Sequence, residues 1–205
     1  MLHRRRFLGL AASLCALVAS GRFAIAGTDP AAFIQSLGQQ ALADLTGSEV
    51  TPALRNDRFR ALLRQNFDVA AIGKTVLGRY WRIATDEERE EYLKLFEDFL
   101  VVNYARRFAE YTGQEFAVKS VRNESDNLVT VFTLVEPPGG GETARLDWLM
   151  RSDADSYKIL DLKIEGISMS ETHRSEFASV IQSSGGKVAG LLDALRNKVG
   201  ALYPT

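Results

Sequence analysis

The 205-residue sequence is short of the parts that most enzymes use: it holds one cysteine, Cys15, and two histidines, His3 and His173. A single cysteine excludes an intramolecular disulfide framework and a cysteine-rich zinc site. So few histidines leave little for metal ligation or histidine-dependent catalysis, and the expectation is no catalytic residue, no metal and no cofactor. An excess of one charge is lacking too, because 25 Lys and Arg oppose 26 Asp and Glu. Nucleic-acid binders carry a basic excess, so no nucleic-acid partner is expected. With 46% hydrophobic and 25% charged residues, the chain has the proportions of a folded globular protein rather than a disordered or collagen-like one.

The longest apolar run comes at the start. Arg4, Arg5 and Arg6 precede an apolar stretch over residues 7–19, and Ala24-Ile25-Ala26 has the small-x-small form of an export cleavage site. The run is shorter than the roughly 20 residues that span a bilayer. Residues 1–26 are therefore read as a cleaved export signal, twin-arginine-like or general secretory, and 27–205 as one domain. Removing the signal takes away four arginines, the cysteine and one histidine, and leaves the remainder acidic by about five charges. The compartment expected is the bacterial periplasm.

Beyond the signal, apolar residues recur at helical spacing behind Asp29-Pro30, Thr51-Pro52 and Asp68, each a helix start. Thr85-Asp86-Glu87-Glu88 has the form of a capping box, and a long stripe of Tyr92, Leu95, Phe96, Phe99, Leu100, Tyr104 and Phe108 follows it. After Gly113 the period changes to two. Strands are predicted over 116–121, 128–135, 143–150 and 157–167, with short connections that make an antiparallel meander. Two helices close the chain, one capped by Ser170 and one after Gly185-Gly186. The fold class is α+β: a four-stranded curved antiparallel sheet packed against a group of helices.

Few residues offer chemistry. Gly166-Ile167-Ser168-Met169-Ser170 approaches a nucleophile elbow, but Ser170 replaces the last glycine and His173 lies only five residues on. A lipid hydrolase using Ser168 and His173 is thus an alternative, set against a plain strand-to-helix turn. What the chain has in abundance is apolar and aromatic side chains around the long helix and the sheet. The second strand is apolar on both faces, which calls for cover on both sides or a ligand on one.

Phe67-Asp68 through Ile72, Leu77-Gly78-Arg79-Tyr80-Trp81-Arg82, Thr85-Asp86-Glu87-Glu88-Arg89 and Phe96 form one block. Tyr157-Lys158-Ile159-Leu160-Asp161-Leu162-Lys163-Ile164-Glu165-Gly166-Ile167-Ser168 forms a second, and Arg174 and Phe177 follow. Together these resemble the MlaC, or toluene-tolerance, family of periplasmic phospholipid-binding proteins, over about residues 30 to 197. Tyr157 stands where many members have tryptophan, and His173 falls where the family varies. The resemblance implies a carrier that holds phospholipid as cargo in a cavity between sheet and helices. It also implies two docking partners, an inner-membrane ABC transporter complex with its substrate-binding ring protein and an outer-membrane lipoprotein complex. A hopanoid-type or other polycyclic lipid is an alternative cargo, and an interaction module without ligand is a third reading.

A cavity of this kind is expected to be lined by Leu77, Trp81, Phe96, Phe99, Leu100 and Tyr104 from the helices. From the sheet, the expected lining is Val129, Val131, Leu146, Trp148, Leu162 and Ile164. Arg79 and Arg82 are read either as phosphate contacts near the mouth or as ordinary surface cations.

Overall fold

The computed structural model describes residues 29–153 and 156–200; the expected signal over 1–26 lies outside the described residues. Helix α1 (Pro30–Leu45) starts where Asp29 accepts the Ala31 N–H, and α2 (Pro52–Asn66) where Thr51 accepts that of Leu54. Asp68 does the same for α3 (Val69–Leu77) through the Ala71 N–H. A 3-10 turn (Gly78–Arg82) leads to α4 (Asp86–Tyr104), which begins with the complete capping box of Thr85 and Glu88. The long helix is shorter than its apolar stripe. At Ala105 it tightens into a second 3-10 turn (Ala105–Glu110), which carries Phe108 away from the α4 axis.

Strands β1 (Glu115–Ser125), β2 (Leu128–Glu136), β3 (Ala144–Asp153), β4 (Ser156–Ile164) and β5 (Ile167–Ser168) pair antiparallel in sequence order. The sheet thus has five strands, where four were expected. The fourth predicted run breaks at Glu165 and Gly166, whose φ angles of 50° and 78° match the two left-handed positions of a tight hairpin. Chain beyond the turn folds back as β5, with Ile167 beside Ile164. Helix α5 (Met169–Ser183) consequently starts earlier than predicted, capped by Ser168 rather than Ser170. Helix α6 (Val188–Val199) follows Gly185-Gly186 as expected.

Both edges of the sheet are guarded. Beta-bulges interrupt β1 at Val118/Ser120 and Asn123/Ser125, which discourages pairing with another chain. On the far side, β5 covers the end of β4, and the Asp68 N–H donates to the Ile159 carbonyl at 3.0 Å.

The apolar residues divide into separate cores. Ile34, Leu37 and Leu45 of α1, with Leu62 of α2, pack on Val129, Val131, Met150 and Ile159 of the sheet. Alpha4 does not lie over the sheet as expected. Its buried Tyr92, Phe96 and Phe99 join Val76 and Leu77 of α3, Phe177 and Ile181 of α5, and Leu191, Leu192 and Leu195 of α6. The reason is that α6 and α5 are themselves amphipathic and offer this helix a complete apolar partner. A small third cluster of Leu63, Val101 and Ala105 joins α2 to the end of α4.

Candidate functional site

Cross-strand register decides which sheet residues share a face. Val129 lies opposite Met150, Val131 opposite Trp148 and Thr133 opposite Leu146. Trp148 is then opposite Leu162, and Leu146 opposite Ile164. All six expected sheet residues therefore share one face, and Val131, Val129 and Trp148 show that it is the face α1 covers. Cover is uneven along it. Val131 is fully buried, whereas Leu146, Trp148, Leu162 and Ile164 are only half-buried, and Leu146, Leu162 and Ile164 belong to none of the buried clusters. Apolar side chains thus continue past the end of the helical cover, flanked by Phe116, whose ring meets that of Trp148 edge-on at 6.4 Å.

On the opposite face, cations cover the aromatic ring of the second strand. Arg122 and Arg145 each hold their guanidinium 5.1 Å from the Phe132 ring centroid, and Arg145 also pairs with the buried Asp147 at 2.7 Å. Two arginines cover the exposed side of an apolar strand, with their charged ends in water.

The helical members of the expected lining sit elsewhere. Leu77, Phe96 and Phe99 are buried in the helical core, with Trp81 and Leu100 packed against it. Trp81 is flanked by Lys74 and Arg89 at 5.9 and 5.6 Å. Five of the six helical residues thus belong to the helical core and the six sheet residues to the α1-facing surface, where Ile34, Val131, Met150 and Ile159 are fully buried. Of the two surface arginines, Arg79 donates to the Tyr80 hydroxyl at 2.8 Å, and Arg82 is exposed.

Tyr104 connects the two regions. Its hydroxyl lies 2.7 Å from Nε2 of His173 and 3.8 Å from Sδ of Met169, one residue beyond β5. Nδ1 of His173 meets the Glu176 carboxylate at 2.8 Å. The imidazole stands edge-on to Phe99, 5.0 Å between centroids, and against Phe177. Burial raises the Tyr104 phenol above its ordinary range; Arg107 pulls it down and Glu176 pushes it further up. This arrangement was not found by the sequence analysis. Its signal was the i,i+3 spacing of His173 and Glu176. The arrangement removes the base from Ser168, whose hydroxyl accepts the Glu171 N–H at 3.1 Å as a helix cap. The pair on which a hydrolase would depend is not formed.

Two open clefts run along the seam between α2, α4 and the far end of the sheet, the first of mixed lining and the second mainly polar. One, about 450 Å³, sets Phe67, Val69 and Leu93 beside the charged Arg64, Asp68, Glu97, Arg151 and Lys158; the other, about 550 Å³, is walled by Arg60, Arg64, Lys94, Glu97 and Asp98 with Leu93. Ion pairs occupy them. Glu97 binds Arg60 and Arg64 at 2.8 Å each, and Arg151 binds Asp68 at 2.7 Å. Burial alone would raise the Asp68 carboxyl, but the Ala71 N–H and Arg151 outweigh it and hold it below the usual carboxylate range. Among the described residues no three His, Cys, Asp or Glu side chains gather to hold a metal.

The sequence pattern of the MlaC protein family matches residues 35–197. An intermembrane phospholipid transport system binding protein MlaC from Haemophilus influenzae is 22% identical over 171 residues, 80% of each chain. The toluene tolerance protein ttg2D of Pseudomonas putida is 21% identical over 191 residues, 91% of this chain and 88% of its own. Among solved structures, a phospholipid-binding protein from Ralstonia solanacearum, determined in complex with a phospholipid, superposes with a TM-score of 0.71. It is 28% identical, and the match covers 85% of this chain and 98% of that one.

Proposed function

Because this chain belongs to the MlaC family, we propose that it is a periplasmic phospholipid carrier that takes up the acyl chains at the uncovered end of the helix-facing sheet surface. The observation that carries this reading is the half-buried strip of Leu146, Leu162 and Ile164 beside Trp148, apolar yet outside the buried clusters. The Ralstonia relative, solved with a phospholipid, supports the class of cargo.

Each methylene moved from water to an apolar site is worth about 0.8 kcal/mol, so a sixteen-carbon chain gains roughly 12 kcal/mol. A diacyl lipid does not cross an aqueous compartment unaided against such a cost. Two chains bring enough free energy to part α1 from the sheet. The separate cores favour this: the helical core stays intact while α1 shifts relative to β2 and β3. A carrier must also release its cargo, so a site that closes on itself suits exchange better than a permanently open one. We assign the two ends of the shuttle to an inner-membrane ABC transporter with its ring protein and an outer-membrane lipoprotein complex.

Organic extraction of the protein purified from the periplasm, followed by mass spectrometry, tests the reading. One phospholipid per chain is the expected result. Polycyclic lipid in its place would change the cargo, and an extract free of lipid would refute the carrier.

A further inference from the structure

Beta2 and β3 turn alternate residues toward α1, and across the rows from Val129–Met150 to Val135–Ala144 that face carries one hydroxyl, Thr133. Thr133 is fully buried, where a valine would have the same shape and no polar group to desolvate. Its O–H donates to the Leu146 carbonyl at 3.2 Å, and its oxygen accepts the Trp148 Nε1–H at 3.0 Å. Trp148 stands in the next row, opposite Val131, so the hydrogen bond draws the indole along the strand toward Thr133. The half-buried indole marks a border. It packs against the core between α1 and the sheet, whereas Leu146, Leu162 and Ile164 lie outside the buried clusters. Phe116 backs it edge-on, 6.4 Å between centroids. The Phe116 ring in turn rests on α1 at Gly38, where an added Cβ would come within 2.8 Å of it. Helix, phenyl ring, indole and hydroxyl thus form one continuous stack from α1 to β2.

We propose that Thr133, by tethering the Trp148 indole, is a latch that holds the seam between α1 and the sheet closed against acyl chains arriving on the strip. The proposal rests on the carrier reading above and adds to it a control on entry and release. A tail lying on Leu146 and Ile164 reaches Met150 and Ile159 only past the row of Val131, Trp148 and Leu162. Hydrocarbon has no acceptor for the indole N–H, so passage breaks the hydrogen bond and offers none in return. The tether therefore belongs to the closed seam and is lost with a tail beneath α1. An interaction made in one state only shifts the equilibrium toward that state by its own worth. Here it favours closure, which helps return cargo to an acceptor membrane. One neutral hydrogen bond suits the task. It is small beside the gain from burying a whole tail, so lipid still enters, yet it loosens the hold by a measurable factor. Thr133 acts through the indole, as a positioning residue.

A latch and a lining residue differ in sign: losing a lining contact weakens lipid binding, and losing a latch tightens it. Delipidated full-length protein is incubated with increasing amounts of dipalmitoyl phosphatidylglycerol vesicles and recovered, and its bound lipid is quantified by mass spectrometry. Thr133→Val keeps the shape and removes the acceptor, and is expected to load phospholipid about fivefold more tightly, the worth of one neutral hydrogen bond. Trp148→Phe removes the donor, keeps an aromatic ring and is expected to move loading the same way. Made in the Trp148→Phe protein, Thr133→Val is expected to add nothing, since the two residues act as one unit. Thr133→Ser retains the hydroxyl and is expected to load as wild type does. Unchanged or weaker loading by folded Thr133→Val overturns the latch and leaves the carrier standing. So does a gain that persists in the Trp148→Phe background or that Thr133→Ser shares. Where Thr133→Val does not fold, Trp148→Phe decides alone, tighter loading supporting the latch and equal or weaker loading overturning it. Wild type that loads no phospholipid overturns both the latch and the carrier.

Discussion

Leu146→Asp is the sharpest perturbation of the apolar strip, because it changes the proposed contact surface without opening a core. Leu146 is half-buried, sits between Thr133 and Ile164 across the strands, and belongs to none of the buried clusters. The protein alone should lose little, within about 1 kcal/mol, as for surface substitutions generally. Bound lipid should lose far more. Removing the leucine side chain forfeits about 2 kcal/mol of apolar contact, and a carboxylate that must stay wet pushes aside about two methylenes, another 1.6 kcal/mol or so. Together that is a several-hundred-fold loss of retention, since about 1.4 kcal/mol is a factor of ten. Leu149→Asp is the control: it lies on the same strand, equally half-buried, but faces away with Asp161 as its partner. Retention is measured by transfer of a fluorescent phospholipid from the loaded protein to acceptor vesicles, and folding by thermal denaturation. Folded Leu146→Asp with wild-type retention, or equal loss from Leu149→Asp, would refute the assignment of the face.

Phe96→Ala should cost about 3–5 kcal/mol in chemical denaturation, because its fully buried ring contacts those of Tyr92, Phe99 and Phe177; a loss below 1 kcal/mol would mean that the helical core is loosely packed. Gly38→Ala should destabilise although alanine is the better helix former by about 1 kcal/mol, because its methyl would meet the Phe116 ring at 2.8 Å; a rise in melting temperature would show that the ring moves freely. The pH dependence at Asp68 has a definite sign. Its folded carboxyl titrates below the ordinary value, so its contribution is complete above the unfolded pKa of about 3.9 and disappears as pH falls through the lower folded value. Asp68→Asn keeps a helix-capping side chain but loses the charge opposite Arg151, and should cost about 1 kcal/mol at neutral pH and nothing once the native carboxyl is protonated. Urea melts across that range check it, and a pH-independent difference would exclude the ion pair as the cause.

Local signals in this chain were legible because their physics is local. Asp29, Thr51, Asp68 and Thr85 cap the helices that follow them, each satisfying an N–H that the helix leaves unpaired. Alternation in β2 and β3 likewise located the strands to within a few residues. The Glu165–Gly166 hairpin was missed because only the glycine announces a left-handed turn, and a glutamate at φ 50° does not.

Partner choice between elements was the part that spacing could not convey. An aromatic stripe on α4 states that something apolar must cover it, and the sheet and α6 were equally qualified by composition. Geometry gave α4 to α6 and the sheet to α1. Beta2 raised the same ambiguity on its other side. Phe132 looked like a demand for a second layer, yet two arginines from neighbouring strands satisfy it, since a guanidinium stem covers a ring as well as a leucine does. The consequence for function is direct. Once α4 and the outer face of the sheet have found their own cover, the apolar sheet surface left outside the buried clusters is the end of the α1-facing side, at the half-buried Leu146, Leu162 and Ile164. A half-buried apolar strip of that kind, on the face that α1 covers only in part, is the place where something oily can come to lie.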